Sequence, residues 1–210
     1  GFRAHYPQLE TKLTVRGADM ADVQRKLAPV QTEVRKRLGN FILAEDDQTL
    51  EGVVLAALTA RQGTLAVVEG FTGGQIAARL APLPGAEAVF RRAIVARDLA
   101  EFGAAIGLES PISEITKEAA EAAARGVRST TGASHGLAVL VDLDGGADRI
   151  DFGGTICIGI ATEEGCVSRR SRIIGGREWV RLGAVELGLD CLRRHLQGLP
   201  VSERIDFEKT

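Results

Sequence analysis

Short apolar runs alternate with amphipathic stretches along the chain, and this alternation predicts a mixed α/β fold. The segments with the composition of strands are residues 64–68, 88–96, 137–143, 155–161 and 166–174. Apolar residues recur at helical spacing in residues 50–58, 75–80, 113–132 and 177–195. The run 64–68 is wholly apolar, as is typical of a strand buried on both faces of a parallel sheet. We therefore predict an α/β fold, a three-layer αβα sandwich with a mixed sheet.

The first part of the chain, residues 1–47, predicts a small N-terminal αβ appendage. Alternation over 10–15 indicates a strand, residues 21–38 have helical spacing, and 40–44 indicates a second strand. Pro29 falls inside the helical pattern, where it removes a backbone donor and crowds the preceding turn. We therefore expect a kink there, or two short helices.

A polar break then separates this appendage from the main domain, which we place at residues 48–197. Thr49 is expected to cap its first helix, and Ser113 is expected to cap the alanine-rich helix that ends near residue 132. The alanines of that helix permit close approach to the sheet. Residues 198–210 form a polar tail.

Composition and charge narrow the function classes. Of the 210 residues, 45% are hydrophobic and 26% charged, which excludes intrinsic disorder as the main description. The net charge of −2 argues against nucleic acid and membrane surfaces as partners. No apolar run approaches the ~18 residues of a membrane span, and the three cysteines lack disulfide or zinc spacing, so we expect a cytoplasmic protein with reduced thiols. Because Gly1 stands where an initiator methionine would, we also expect a fragment of a longer protein.

We expect neither a metal nor a cofactor. The histidines, His5, His135 and His195, are scattered along the sequence without metal-ligand spacing. An acidic run also lacks the spacing of a calcium loop and is expected to be solvated. Its members are Asp142, Asp144, Asp148 and Asp151.

The most informative stretch follows the strand at 64–68 and reads Glu69-Gly70-Phe71-Thr72-Gly73-Gly74 before a new helix. Thr72 and Gln75 have the spacing of a capping box, so we expect Thr72 to cap this helix. The N–H groups of a helix start favour an anion or a developing negative charge. We therefore place the candidate pocket at these glycines.

These residues resemble the competence/damage-inducible protein CinA family, in particular its C-terminal nicotinamide mononucleotide deamidase domain. The likeness covers about residues 49–196. It rests on Leu65-Ala66-Val67-Val68-Glu69 with Thr72-Gly73-Gly74, Pro84-Gly85 with Ala88-Val89-Phe90, Ile112-Ser113-Glu114, Gly136-Leu137-Ala138-Val139, Gly154-Thr155, and Arg177 with Arg181. Residues 1–47 resemble the KH-like domain that precedes it in longer members, where a nucleotide-binding domain lies further upstream. The resemblance implies a homo-oligomer, that upstream domain as a partner, and a nucleotide-like ligand.

Several positions depart from the family pattern. The family signature reads Glu-Ser-Cys-Thr-Gly-Gly, which implies the serine as nucleophile for amide hydrolysis, but this chain has Gly70 there. A tyrosine, an asparagine and an activating lysine of the next block correspond here to Ala96, Asp98 and Glu101. The third block, residues 140–146, retains only its glycines. Acyl transfer needs a nucleophile with a positioned base, and these residues supply neither.

Three interpretations stay open at this point. The first is a CinA-type pseudoenzyme kept for binding, assembly or regulation, with ligand contacts at Glu69, Thr72, Gly73, Gly74 and Arg177. The second is an active amidohydrolase with a non-family nucleophile, for which Thr72 supplies the nearest hydroxyl and Glu69 a carboxylate that could orient a water. For Glu69 we favour a structural role, as a carboxylate held by backbone N–H groups. The third makes the appendage an RNA-binding module, although it lacks a G-x-x-G loop and aromatic platforms.

Overall fold

The chain is described by a computed structural model over residues 1–145 and 152–203. The strands are β1 Phe2–His5, β2 Gln8–Thr11, β3 Leu65–Gly70, β4 Phe90–Ala96, β5 His135–Leu143, β6 Gly153–Ala161 and β7 Cys166–Ile174. The helices are α1 Met20–Leu38, α2 Leu50–Ala60, α3 Gln75–Leu80, α4 Ala86–Val89, α5 Leu99–Ala105, α6 Lys117–Thr131 and α7 Arg177–Leu196, with a 3₁₀ turn at Gly39–Phe41.

The main sheet has the strand order β4-β3-β5-β6-β7 within the described ranges. Strand β3 pairs in parallel with both β4 and β5, and the β5-β6 and β6-β7 pairs are antiparallel. Side chains alternate across β5, so that Leu137 and Val139 enter one apolar core while Ala138 and Leu140 enter the other. Helices α2, α3 and α7 cover the first core, and α5 and α6 cover the second. The predicted mixed sheet between two helical layers is confirmed.

Helix α6 lies unusually close to the sheet because both partners have small residues. A Cβ on Gly159 of β6 would lie 2.2 Å from the carbonyl oxygen of Ala120. Three alanines of α6, Ala120, Ala123 and Ala124, are fully buried. The close approach expected from its alanines is present, but α6 begins at Lys117 with Thr116 as its cap, so the expected Ser113 cap is wrong.

The N-terminal part consists of the β1–β2 hairpin and α1. Helix α1 runs without interruption from Met20 to Leu38, so two short helices around Pro29 are wrong. The strand expected over 40–44 is also wrong. The carbonyl of Asn40 does not pair with a strand but accepts hydrogen bonds from the side chains of Arg193 (2.7 Å) and Arg194 (3.1 Å) of α7. The predicted strand over 10–15 is reduced to the end of β2 at Thr11.

Helix α7 joins the hairpin to the main domain. The Tyr6 ring stacks on Trp179 with centroids 4.1 Å apart, and its hydroxyl donates to the Trp179 carbonyl at 2.9 Å. Gln8 donates to Glu186 at 2.6 Å.

In the part of the chain that the structure covers, no helix has both the length and the apolar composition to cross a membrane.

Candidate functional site

The candidate site lies at the edge of the sheet where the parallel strands β3, β4 and β5 end. The glycine-rich segment 70–74 leaves β3 at this edge, and Gly70 pairs in register with Ala96 of β4. Gly73 and Gly74 have positive φ angles of 70° and 80°, a left-handed conformation that glycine adopts without steric cost. The fold thus brings together Gly70 and Ala96, which are far apart in sequence.

The carboxylate of Glu69 fixes this segment through hydrogen bonds to Thr72, Ile76 and Ala77. Its side chain is fully buried, as is that of Thr72. One carboxylate oxygen accepts hydrogen bonds from the Thr72 hydroxyl (2.7 Å) and the Ile76 amide (3.1 Å), and the other accepts from the Ala77 amide (2.9 Å). Glu69 therefore satisfies the first amides of α3.

This arrangement corrects the predicted capping box. The N-cap of α3 is Gly74, which has no side-chain cap, and the Thr72 hydroxyl donates to Glu69 instead of accepting from the helix. The amides of Ile76 and Ala77 that we expected to face a ligand are already bonded to an internal carboxylate. A carboxylate held by backbone N–H groups is the structural role expected for Glu69, whereas the capping-box spacing fails because these amides lie seven and eight residues ahead of Glu69.

Two of the positions that depart from the family pattern are neighbours, because Gly70 pairs with Ala96 in the sheet register. A Cβ on Gly70 would lie 3.5 Å from Leu140 Cδ2 and 3.8 Å from the Phe102 ring, which are ordinary contact distances for a methyl group. Glu101 neighbours Phe102 on α5 and is exposed. Asp98 caps α5 by accepting from the amides of Ala100 (2.8 Å) and Glu101 (3.0 Å). These side chains present neither a hydroxyl nor an amine beside Gly70.

The sequence analysis did not predict that two arginine side chains lie against the ring of Phe71. This residue has a φ of 77°, which a side chain of this size rarely adopts. The guanidinium carbon of Arg97 lies 4.9 Å from the centre of the Phe71 ring, and that of Arg177 lies 6.0 Å away. Both arginines are exposed, and both guanidinium groups lie within the range of a cation–π contact with this ring. The predicted site residue Arg177 therefore borders the glycine-rich segment.

The other candidates lie elsewhere or are already paired. Asp144 forms an ion pair with Arg172 at 2.5 Å, Asp142 is exposed, and Asp148 and Asp151 lie outside the described residues. Among residues 1–145 and 152–203, no group of three or more His, Cys, Asp or Glu is placed to hold a metal ion.

Two histidines that are distant in sequence meet at the opposite edge of the sheet. The rings of His135 and His195 lie 6.0 Å apart at their centroids. Burial lowers the pKa of both imidazoles, and for His135 the neighbouring His195 lowers it further. His195 lies in the last turn of α7, as expected of a helix-end residue, but its contact with His135 was not predicted.

Comparison with known proteins shows which family this chain is similar to. The family model described as the CinA C-terminal domain matches residues 47–196. A CinA-like protein of Frankia casuarinae is 40% identical over 207 residues, which cover 96% of this chain and 48% of that protein. A CinA-like protein of Myxococcus xanthus is 32% identical over 208 residues, covering 96% of this chain and 49% of the other. The chain thus spans about half the length of these relatives.

Solved structures show the same fold. The competence or damage-inducible protein of Enterobacter asburiae superimposes with a TM-score of 0.62 at 19% identity, covering 71% of this chain and 99% of that one. The CinA superfamily protein of Enterobacter cloacae gives a TM-score of 0.62 at 19% identity, covering 73% and 96%. At such identities the likeness concerns the fold alone, whereas the family model covers most of the chain. The chain belongs to the CinA family and contains its C-terminal domain.

Proposed function

We propose that this chain is a CinA-family module whose deamidase-like site binds a nucleotide-like ligand without hydrolysing it, and that it serves in binding, assembly or regulation. The observation that carries the proposal is Gly70, which stands where the family signature has its nucleophilic serine. Glycine has no side-chain lone pair to attack an amide carbonyl and no proton for a base to remove.

The groups around Gly70 support the same conclusion. Its partner in the sheet register is Ala96, a methyl group where the family pattern has tyrosine. Glu101 stands where the pattern has the lysine that activates the serine, so the charge is reversed. Loss of a nucleophile together with its base costs several orders of magnitude in rate. A serine at position 70 alone would still lack a base.

The alternative is an active amidohydrolase that uses Thr72 and Glu69. One contact favours it: the Thr72 hydroxyl donates to the Glu69 carboxylate at 2.7 Å, the arrangement in which a general base activates a hydroxyl. Two observations favour a structural role instead. Both side chains are fully buried, and the same carboxylate also holds the Ile76 and Ala77 amides. Moving the Thr72 hydroxyl toward a ligand would break this network.

The proposed ligand contacts are those of an open, glycine-lined edge. Gly73 is exposed and Arg177 borders the segment, whereas Glu69 and Thr72 contribute by fixing the backbone. We further propose a homo-oligomer, by analogy with the family. An upstream nucleotide-binding domain would be a natural partner, since the relatives are about twice as long as the matched region.

The experiment is ammonia release from nicotinamide mononucleotide, measured for the parent chain, Gly70→Ser and Gly70→Ala, with binding of the same compound measured by calorimetry. We expect binding without ammonia for the parent and for Gly70→Ala, which adds a methyl group but no nucleophile. Ammonia release by the parent above the rate without protein would overturn the proposal. If that release survived in Thr72→Val, it would overturn the alternative as well.

A further inference from the structure

The β1–β2 hairpin lies on one face of α7, against Trp179, Gly183 and Glu186, which follow one another at helical spacing. The Tyr6 ring stacks on Trp179, and the Tyr6 hydroxyl donates to the Trp179 carbonyl at 2.9 Å. A Cβ on Gly183 would lie 2.7 Å from that hydroxyl, so glycine at this position leaves the space that Tyr6 occupies. Gln8 adds a hydrogen bond to the Glu186 carboxylate at 2.6 Å. The hairpin is therefore docked on α7 both by ring stacking and by hydrogen bonds.

The ring stack acts on the first turn of α7, which borders the glycine-rich segment. Trp179 comes two residues after Arg177, whose guanidinium carbon lies 6.0 Å from the centre of the Phe71 ring. A Cβ on Gly175 would lie 3.0 Å from the Trp179 Cβ, so the backbone that enters α7 is closely packed against the same side chain. Holding Trp179 therefore fixes the turn from which Arg177 extends.

The hydrogen bond from Gln8 continues into α3 through an ion pair. Glu186 is buried, and its second carboxylate oxygen accepts from Arg79 of α3 at 2.8 Å. Arg79 also donates to Glu51 of α2 at 2.7 Å. Because buried charges are stable only with their partners in place, the position of the Glu186 carboxylate determines where Arg79 lies. Gln8 thus fixes the carboxylate that holds α3.

Helix α3 is attached to the glycine-rich segment at its other end. The Ile76 and Ala77 amides donate to Glu69, which also accepts from Thr72. With only six residues, α3 is too short to be stable through its own hydrogen bonds. Its position therefore depends on contacts such as Glu69 at its start and the carboxylates that bind Arg79 near its end.

We propose that the β1–β2 hairpin is a strap across α7 that controls the glycine-rich edge of the sheet. When docked, the strap holds α3 and the first turn of α7 in place; when released, it loosens both. Its contact at Trp179 leads to one of these elements, and its contact at Glu186 leads to the other. The inference goes beyond the proposed function, because it holds whether or not the edge hydrolyses a ligand.

The test is amide hydrogen exchange, measured by mass spectrometry for the parent chain, Gln8→Ala, Tyr6→Phe and the double variant. Residues 75–80 report on α3, and residues 117–131 report on α6, which packs on the opposite face of the sheet. Glu10→Ala is the matched control, because Glu10 is exposed on the same strand as Gln8 and its side chain makes no hydrogen bond or ion pair among the described residues. Tyr6 is the only tyrosine of the chain and Trp179 the only tryptophan, so the emission of Trp179 reports on the stack.

We expect the amides of α3 to exchange about two- to tenfold faster in Gln8→Ala, the range of coupling through packed networks, and faster still in the double variant. Tyr6→Phe should accelerate exchange in the first turn of α7 more than in α3, because the lost hydrogen bond ends at the Trp179 carbonyl. Trp179 emission should shift to longer wavelength in the double variant, since release of the hairpin leaves the indole in water. Exchange in α6, and all exchange in Glu10→Ala, should match the parent.

A double-mutant cycle tests the route through Arg79. Arg79→Met keeps much of the side-chain length but removes the charge, so Glu186 no longer holds α3. Gln8→Ala should then have no further effect on α3 exchange when it is added to Arg79→Met. Additive effects would show that the hairpin and Arg79 act on α3 independently, and would overturn the proposal.

Two further outcomes would overturn it. One is that α3 exchanges at the parental rate in the double variant, which would make the hairpin a passive appendage. The other is that α3 and α6 accelerate equally, which is a general loss of stability. None of these measurements involves a ligand, so failure of the strap and failure of the proposed function are distinguishable. Turnover of nicotinamide mononucleotide would remove the proposed function alone.

Discussion

Replacing Glu69 tests whether this carboxylate is a structural support or a catalytic group. In Glu69→Gln the amide keeps the size of the side chain but offers only one acceptor oxygen to three donors, from Thr72, Ile76 and Ala77. The Thr72 hydroxyl can rotate, but one backbone N–H is left facing an NH₂ group. A buried donor without a partner costs about 1–3 kcal/mol. With a urea slope of ~1–3 kcal/mol/M, the unfolding midpoint should fall by roughly 1 M.

The measurement is urea unfolding followed by circular dichroism, with Glu109→Gln as the matched control. Glu109 is exposed and makes no hydrogen bond or ion pair among the described residues, so its substitution should stay within ~0.5 kcal/mol of the parent. Combining Glu69→Gln with Thr72→Val should give non-additive losses, because the two side chains share a hydrogen bond. Equal midpoints for the parent and Glu69→Gln would refute the structural role and favour the alternative chemistry.

Two other predictions concern packing and pH. Gly159→Ala should lower the free energy of unfolding by about 1–3 kcal/mol, because the added Cβ would lie 2.2 Å from the Ala120 carbonyl oxygen. Gly70→Ala is the control and should be tolerated, since its Cβ meets only ordinary contacts. Equal urea midpoints for the two variants would contradict the close packing of α6. Burial lowers the pKa of His135 and His195 below the ordinary ~6.5, so these histidines bind more protons in the unfolded chain than in the folded one. Their contribution to the free energy of unfolding should be full above pH ~6.5 and should fall as the pH is lowered below that value. Melting temperatures between pH 7.5 and 5.5 test this, and a slope unchanged in His135→Gln would count against it.

The fold was largely predictable because its central elements have strong local patterns. Residues 166–174 and the helix start at Arg177 were predicted as observed. The wholly apolar run at 64–68 correctly indicated a strand inside a parallel sheet. Each of these segments forms the structure that its own residues favour.

Predictions failed where a distant group decides the local structure. Residues 40–44 resemble a strand, but the buried guanidiniums of Arg193 and Arg194 hold the Asn40 carbonyl. Thr72 has the spacing of a cap, but Glu69 satisfies the helix amides. Such contacts depend on which residues the completed fold brings together.

The position of the glycine-rich segment at the end of a strand was predictable from the sequence, but the contacts around it were not. The glycine-rich segment after β3 and Arg177 were expected, and Gly70 with Ala96 does lie at the same sheet edge. The cluster formed by Phe71 and Arg97 was not expected, because the two are 26 residues apart and Arg97 lies outside the glycine-rich motif. Parallel pairing of β3 with β4 is what makes them neighbours.

Proton NMR of nicotinamide mononucleotide, incubated with an equal concentration of the purified chain, tests the central claim most directly. Conversion of the carboxamide to the acid shifts the ring protons, so a single turnover per molecule would be visible. We expect an unchanged ligand spectrum apart from broadening on binding, in the parent and in Gly70→Ala alike. Appearance of the acid with the parent chain would contradict it, because a chain with glycine at the nucleophile position would then be an enzyme.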